Sequence, residues 1–295
     1  MAYFDIDTTI DYLVEVFSND GMGYCDQLYI YDATVTVIDG GSFYMQGYDP
    51  SYSTPDTYYY AYQSIYVSTD ATLKSEYTEE ANLIYSDCPY VAMSIDGTVD
   101  LKNAKIYLGG DDSHYHDSYS SPYFTSRIYV SGSFSMNGGS LTVEPYFYYS
   151  EYDEVRCAED AEMTFTNVDV DAAISSAGVL CANRSTFSRK LTIQLDSGDS
   201  LSEKLLGSGN TFTQQELFYL DGYGGDFSDV WGFIGKAEAE NSFIAFSVGT
   251  GKTVQIGKPK AGFEHVGYCY VGGDKSAQVI INEGTSLLIG AQNIN

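Results

Sequence analysis

Positive charge is what this chain has least of. Against 41 Asp and Glu it sets 14 Lys and Arg, a net charge of −27 over 295 residues, and the first cation is Lys74. A surface of that sign repels phosphate, which argues against nucleic acid as a partner and against anionic membranes as a docking surface. Long apolar runs are missing too, so no transmembrane segment is expected. Proline (6) and tryptophan (1) are scarce. The five cysteines, Cys25, Cys88, Cys157, Cys181 and Cys269, stand far apart with no CxxC pair, which excludes a zinc ribbon or a thioredoxin-like motif. An odd count cannot pair fully within the chain, and buried free thiols are expected. Residues 1–17 show no basic segment followed by an apolar core, so no signal peptide is legible. Helical spacing is nearly absent. The exception is residues 5–17, where Ile6, Ile10, Leu13, Val14 and Phe17 fit one helical face; residues 1–24 are therefore expected to form an N-terminal cap with a short helix over an open sheet edge.

Tyrosine and glycine are abundant, 29 of each, and 25 of the tyrosines fall within residues 1–152. Strand-like patterning runs on across that boundary without a linker, so residues 25–295 read as one body whose decoration changes near 152. Internal similarity is the strongest signal. Gly41–Gly47 (GSFYMQG) recurs as Gly132–Gly138 (GSFSMNG), and an Ile-Tyr pair recurs at 65–66, 84–85, 106–107 and 128–129. A hydroxyl-Phe element recurs at Phe165, Phe187, Phe212 and Phe243. Repetition on the scale of about 20–50 residues indicates solenoids, propellers or arrays. Between the repeats lie short alternating runs rich in β-branched and aromatic residues, such as residues 33–37, 140–143, 190–195 and 279–281, bounded by Gly, Asn, Asp or Ser. Strands this short, without helical crossovers, predict an all-β chain: a right-handed parallel β-helix with coils of about 22 residues. A propeller and an antiparallel sandwich are the rival architectures. In the β-helix, Ile65, Ile84, Ile106 and Ile128 form one interior column, and Tyr66, Tyr85, Tyr107 and Tyr129 point outward on neighbouring rungs about 4.8 Å apart.

The Gly-Ser-Phe strings, Gly138–Val143 (GGSLTV), Asp96–Ile106 (DGTVDLKNAKI) and Asn210–Phe212 (NTF) are similar to pectin-lyase-like parallel β-helices, and more narrowly to repetitive passenger segments of bacterial surface adhesins and autotransporters. The likeness covers most of residues 25–290 as short, degenerate strings. It implies secretion and display at the cell surface, with glycan binding or depolymerisation as the activities of such scaffolds. With no signal peptide legible, an extracellular location is expected of a segment cut from a longer precursor.

The densest polar run is Gly109–Asp117. Its Asp111, Asp112, His114, His116 and Asp117 combine imidazole and carboxylate donors that suit Ca2+ or another divalent ion, but without a fixed four-ligand spacing an ordinary solvated loop is the leading reading and no cofactor is expected. Carboxylate pairs for glycoside hydrolysis exist at Asp111/Asp112 and at Asp226/Asp229, but an acid and its partner must also share a cleft. Gly249–Thr253 resembles the end of a phosphate loop without its first glycine, and reads as a turn between strands. Aromatic clusters are the better-motivated binding feature: Tyr58, Tyr59, Tyr60 and Tyr62, then Tyr146, Tyr148 and Tyr149, join the outward column above. Flat amphipathic rings bind sugar faces and protein side chains at small entropic cost. The expectation is a non-catalytic adhesin or structural surface module whose Tyr-rich acidic face meets glycans, host or cell-surface proteins, or copies of itself. A polysaccharide lyase or hydrolase on the same scaffold, and a phage or filament fibre building block, are the alternatives.

Overall fold

A computed structural model describes residues 2–17, 27–46, 63–86, 91–109, 127–144, 154–273, 275–283 and 285. The protein is all-β with long parallel sheets, an architecture compatible with a solenoid. Among the described residues no helix is long and apolar enough to cross a membrane. Among the described residues eleven strands form one sheet, from Ala2–Phe4 through Gln27–Ile30, Gln63–Val67 and onward to Gly267–Gly273, each pairing with the next in that series. Fourteen of the described strands form a second sheet, and three a short third one near the C-terminal end. The second sheet holds two ladders side by side. In the strand Thr98–Leu108, residues 98–102 pair with 72–76 and 133–137, whereas 104–108 pair with 81–86 and 139–143. Asn103, between the two halves, has a positive φ of 52° that bends the strand. Asn167 and Arg184 take the same left-handed conformation at this corner in later laps. Most side chains resist it, and asparagine tolerates it best among those other than glycine.

Among the described residues the chain thus visits three ladders in a fixed order as far as Ile234–Ala237, after which its strands alternate between the first sheet and the short third one. Alternation sends every second side chain inward, where side chains stack on those of the next lap. Ile65, Ile84, Ile106 and Ile128 are all buried, but they form two columns. Ile65, Met93 and Ile128 share the first sheet, whereas Ile84 and Ile106 pair in the third ladder. The expectation of a uniform coil length is likewise corrected. Register joins Ile174 to Leu191 in one lap and Leu28 to Ile65 in another, and the second lap is more than twice as long as the first. The repeat spacing read from the Ile-Tyr pairs is a true lap only from Ile84 to Ile106; the step from Ile106 to Ile128 crosses from one sheet to the other.

Residues 5–17 contain no helix. Thr8–Ile10 and Leu13–Phe17 are strands pairing with Thr34–Val37 and Ser42–Gln46. Ile10 and Val16 point inward, while Ile6 and Leu13 are exposed, so the helical spacing was a coincidence of two strands separated by a bend. Backbone pairing with the next lap satisfies these segments, which a lone short helix could not do. GSFYMQG and GSFSMNG do share an inward pattern, Phe43 with Met45 and Phe134 with Met136, though in different ladders. The phenylalanines continue through the core, with Phe134, Phe165, Phe187 and Phe212 in successive ring contact. Cys157 is a buried free thiol; Cys181 and Cys269 are free and half-buried. Within Gly249–Thr253, residues 249–252 form a turn joining Phe243–Val248 to Thr253–Ile256.

Candidate contact surface

Register places tyrosines in outward columns. On the first sheet Tyr3, Tyr29 and Tyr66 stand opposite one another on three successive laps. Their rings meet edge to face, 6.3 Å apart at 62° and then 6.2 Å at 77°. On the third ladder Tyr44, Tyr85 and Tyr107 form a second column. Here the rings are flatter on one another, 5.7 Å at 31° and then 5.2 Å at 16°. Both spacings lie within the favourable range for aromatic pairs, and parallel pairing at about 4.8 Å per rung produces them without further adjustment.

Each column ends on a carboxylate of the following lap. Tyr66 donates its hydroxyl to Asp96 Oδ2 at 2.8 Å, and Asp96 accepts a second, short bond from Ser131. Tyr107 donates to Glu144 Oε1 at 2.7 Å. The Asp96 bond, with burial second, raises the Tyr66 phenol above its ordinary value. Burial first, and Glu144 second, push Tyr107 up to about 12. Both phenols therefore stay protonated and committed to these bonds at neutral pH.

Of the expected contact residues, Tyr66, Tyr85, Tyr107 and Tyr129 do face outward, but not as one column. Tyr85 and Tyr107 touch; Tyr66 and Tyr129 share the first sheet with Ser94 between them. Tyr3, Tyr29 and Tyr44 belong to the columns and were not foreseen. None of them follows an isoleucine, yet each is flanked by inward apolar residues, as in Leu28-Tyr29-Ile30 and Phe43-Tyr44-Met45. Tyr58, Tyr59, Tyr60, Tyr62, Tyr146, Tyr148 and Tyr149 lie outside the described residues, as do Asp111, Asp112, His114, His116 and Asp117. Their sequence positions fall between a third-ladder strand and the next first-sheet strand, after Ser42–Gln46, Thr98–Leu108 and Ser133–Val143. Among the described residues no group of three His, Cys, Asp or Glu is arranged to hold a metal ion.

No family model, curated protein or solved structure matches this chain. What the surface can do must be argued from its own geometry. Within the third-ladder column the ring faces are spent on one another, so Tyr85, 42% exposed, offers its edge and hydroxyl. Tyr3, 54% exposed, begins the first column and presents more of its ring. The acid load sits alongside: Asp7 accepts the backbone N–H of Thr34, and Asp39 caps the Thr78 backbone and hydroxyl, bonds that hold its carboxyl below the ordinary range.

A cleft of about 390 Å³ lies near the C-terminal end, lined by Asp226, Ser228, Gln255, Lys258, Lys260 and Asn282 above the aromatic side chains of Phe227 and Trp231. Asp226 accepts the Ser228 N–H at 2.8 Å, and bonds from Ser228 hold its carboxyl below the usual carboxylate range. It is ionised at neutral pH and lacks the raised pKa that a glycosidase acid requires. The cleft offers hydrogen bonds and positive charge, without an acid suited to glycoside hydrolysis among its described side chains.

Proposed function

We propose that the chain is a right-handed parallel β-helix of the pectin-lyase-like kind and serves as a non-catalytic contact module of a secreted or surface-displayed protein. The observation that carries the proposal is the pair of in-register tyrosine columns. Rigid rungs repeat an amphipathic ring at a fixed pitch along an acidic flank, so one extended partner can be met at several laps at once. Each contact is shallow, and repetition supplies the avidity. Glycans and cell-surface proteins suit this presentation, because ring edges and hydroxyls meet both sugars and peptide groups.

Binding of the purified protein to immobilised glycans and to intact host cells tests the reading. Tyr3→Ala with Tyr85→Ala is expected to weaken binding severalfold while the sheet content is retained. Binding that is absent, or indifferent to both substitutions, overturns it. A second reading, a polysaccharide lyase or hydrolase, draws on the C-terminal cleft. Release of unsaturated or reducing ends from pectins, alginates or host glycans by the purified protein would put it first.

A further inference from the structure

The third-ladder column has a geometry that contact alone does not require. Tyr85 and Tyr107 are register partners on adjacent laps, their rings 5.2 Å apart and within 16° of parallel. The two phenol rings are thereby held as a stacked pair. The first-sheet pairs, at 62° and 77°, instead turn an edge toward a face. Tyr107 donates its hydroxyl to a carboxylate oxygen of Glu144, 2.7 Å away, while Tyr85 is 42% exposed and open to a reagent in solution. A phenol loses an electron most readily when its proton can leave at the same moment, and a carboxylate at hydrogen-bond distance is a ready acceptor.

We propose that Tyr85 and Tyr107 form an oxidative cross-linking site, joined as dityrosine by a peroxidase-class one-electron oxidant with hydrogen peroxide. Each ring gives up one electron to the oxidant. The Tyr107 proton passes to Glu144 and the Tyr85 proton to water. The two phenoxyl radicals then form a carbon–carbon bond between ortho positions, and the two ring protons move, through water, to the phenol oxygens as aromaticity returns. In sum two tyrosines and one hydrogen peroxide yield one dityrosine and two waters. The product is a covalent staple between neighbouring laps. It is independent of what the surface binds.

The test uses the whole folded chain, treated with peroxidase and hydrogen peroxide and followed by dityrosine fluorescence and tandem mass spectrometry. The expected result is an uncombined chain lighter by two hydrogen atoms, with 85–107 the most abundant link among the described tyrosine pairs. Tyr85→Phe and Tyr107→Phe keep the stacked rings and must abolish that link, and unfolding in urea before treatment must remove its preference. Glu144→Gln is expected to lower its yield severalfold, and an unchanged yield would overturn the proton-transfer step. Links distributed by exposure alone, with Tyr3 and Tyr12 ahead of Tyr85 and Tyr107, would overturn the proposal.

Discussion

At the scale of single residues, two of the groups that titrate away from their ordinary values do so for reasons that mutation can separate. The Tyr107 phenol is raised to about 12 by burial first and by Glu144 second. A group whose folded value lies above its unfolded value of about 10 contributes stability below that value and loses the contribution as pH climbs from about 10 to about 12. Glu144→Gln should therefore move the Tyr107 midpoint down only part of the way, since the larger cause remains. Labelled tyrosine Cζ resonances, assigned by difference against Tyr107→Phe, would read this; a return to the ordinary value would assign the whole effect to Glu144. Glu154 is the second case. Its carboxyl is buried and raised by that burial, although Arg189 approaches at 2.6 Å and the Ala173 N–H donates at 2.7 Å. Asp171 holds the other side of the same guanidinium at 2.8 Å. Arg189→Ala leaves a nearly buried carboxylate without its cation, at a cost of about 2–3 kcal/mol near pH 7. The cost should shrink near pH 4, where Glu154 takes up a proton and the loss no longer strands a charge. Urea unfolding at the two pH values measures the difference, and equal costs would exclude the charge explanation.

At the scale of strands and corners, stacked laps are held by a few side chains that serve several laps at once. Asn210 is fully buried: its Oδ1 accepts the Ser185 N–H, and its Nδ2 donates to the carbonyls of Ala182 and Phe233. Asn210→Ala strands three backbone groups in the core, a loss of about 2–4 kcal/mol in chemical denaturation. Gly132 closes a corner so tightly that a Cβ there would overlap the backbone carbonyl oxygens of Asp96 and Gly97. Gly132→Ala should cost about 2–3 kcal/mol, because backbone rather than a movable side chain stands in the way. These elements also mark how far the sequence could be read. Which side chains turn inward was legible: alternation is local, and all four isoleucines of the Ile-Tyr pairs are buried. Which residues become lap neighbours was not, because the connections vary freely in length while the rungs do not. Ile65 and Ile128 look like members of one series with Ile84 and Ile106, yet register assigns them to another sheet. The same mechanism hid the tyrosine columns. Tyr3 pairs with Tyr29, and Tyr29 with Tyr66 over a much longer connection, two unequal steps that no periodicity search joins.

At the scale of the whole molecule, charge is distributed as unevenly as tyrosine. Residues 1–73 carry eleven carboxylates and no cation, whereas Lys252, Lys258, Lys260 and Lys275 cluster near the C-terminal end. Adjacent rungs are about 4.8 Å apart, well inside a Debye length of about 10 Å at 0.1 M salt, so acids on neighbouring laps repel one another across the stack. In a stack where each lap touches only its neighbours, that repulsion is felt locally and is not averaged over the chain. The early laps should therefore respond most to salt. Raising ionic strength from about 0.02 M to about 0.5 M should slow amide exchange in Ala2–Phe4, Gln27–Ile30 and Thr34–Val37 more than in Leu191–Gln194 or Phe243–Val248. The thermal midpoint should rise in parallel as self-repulsion is screened. Exchange that slows equally in early and late laps would mean that the charge acts on the molecule as one body. The picture of quasi-independent laps, each carrying its own electrostatic load, would then have to be abandoned.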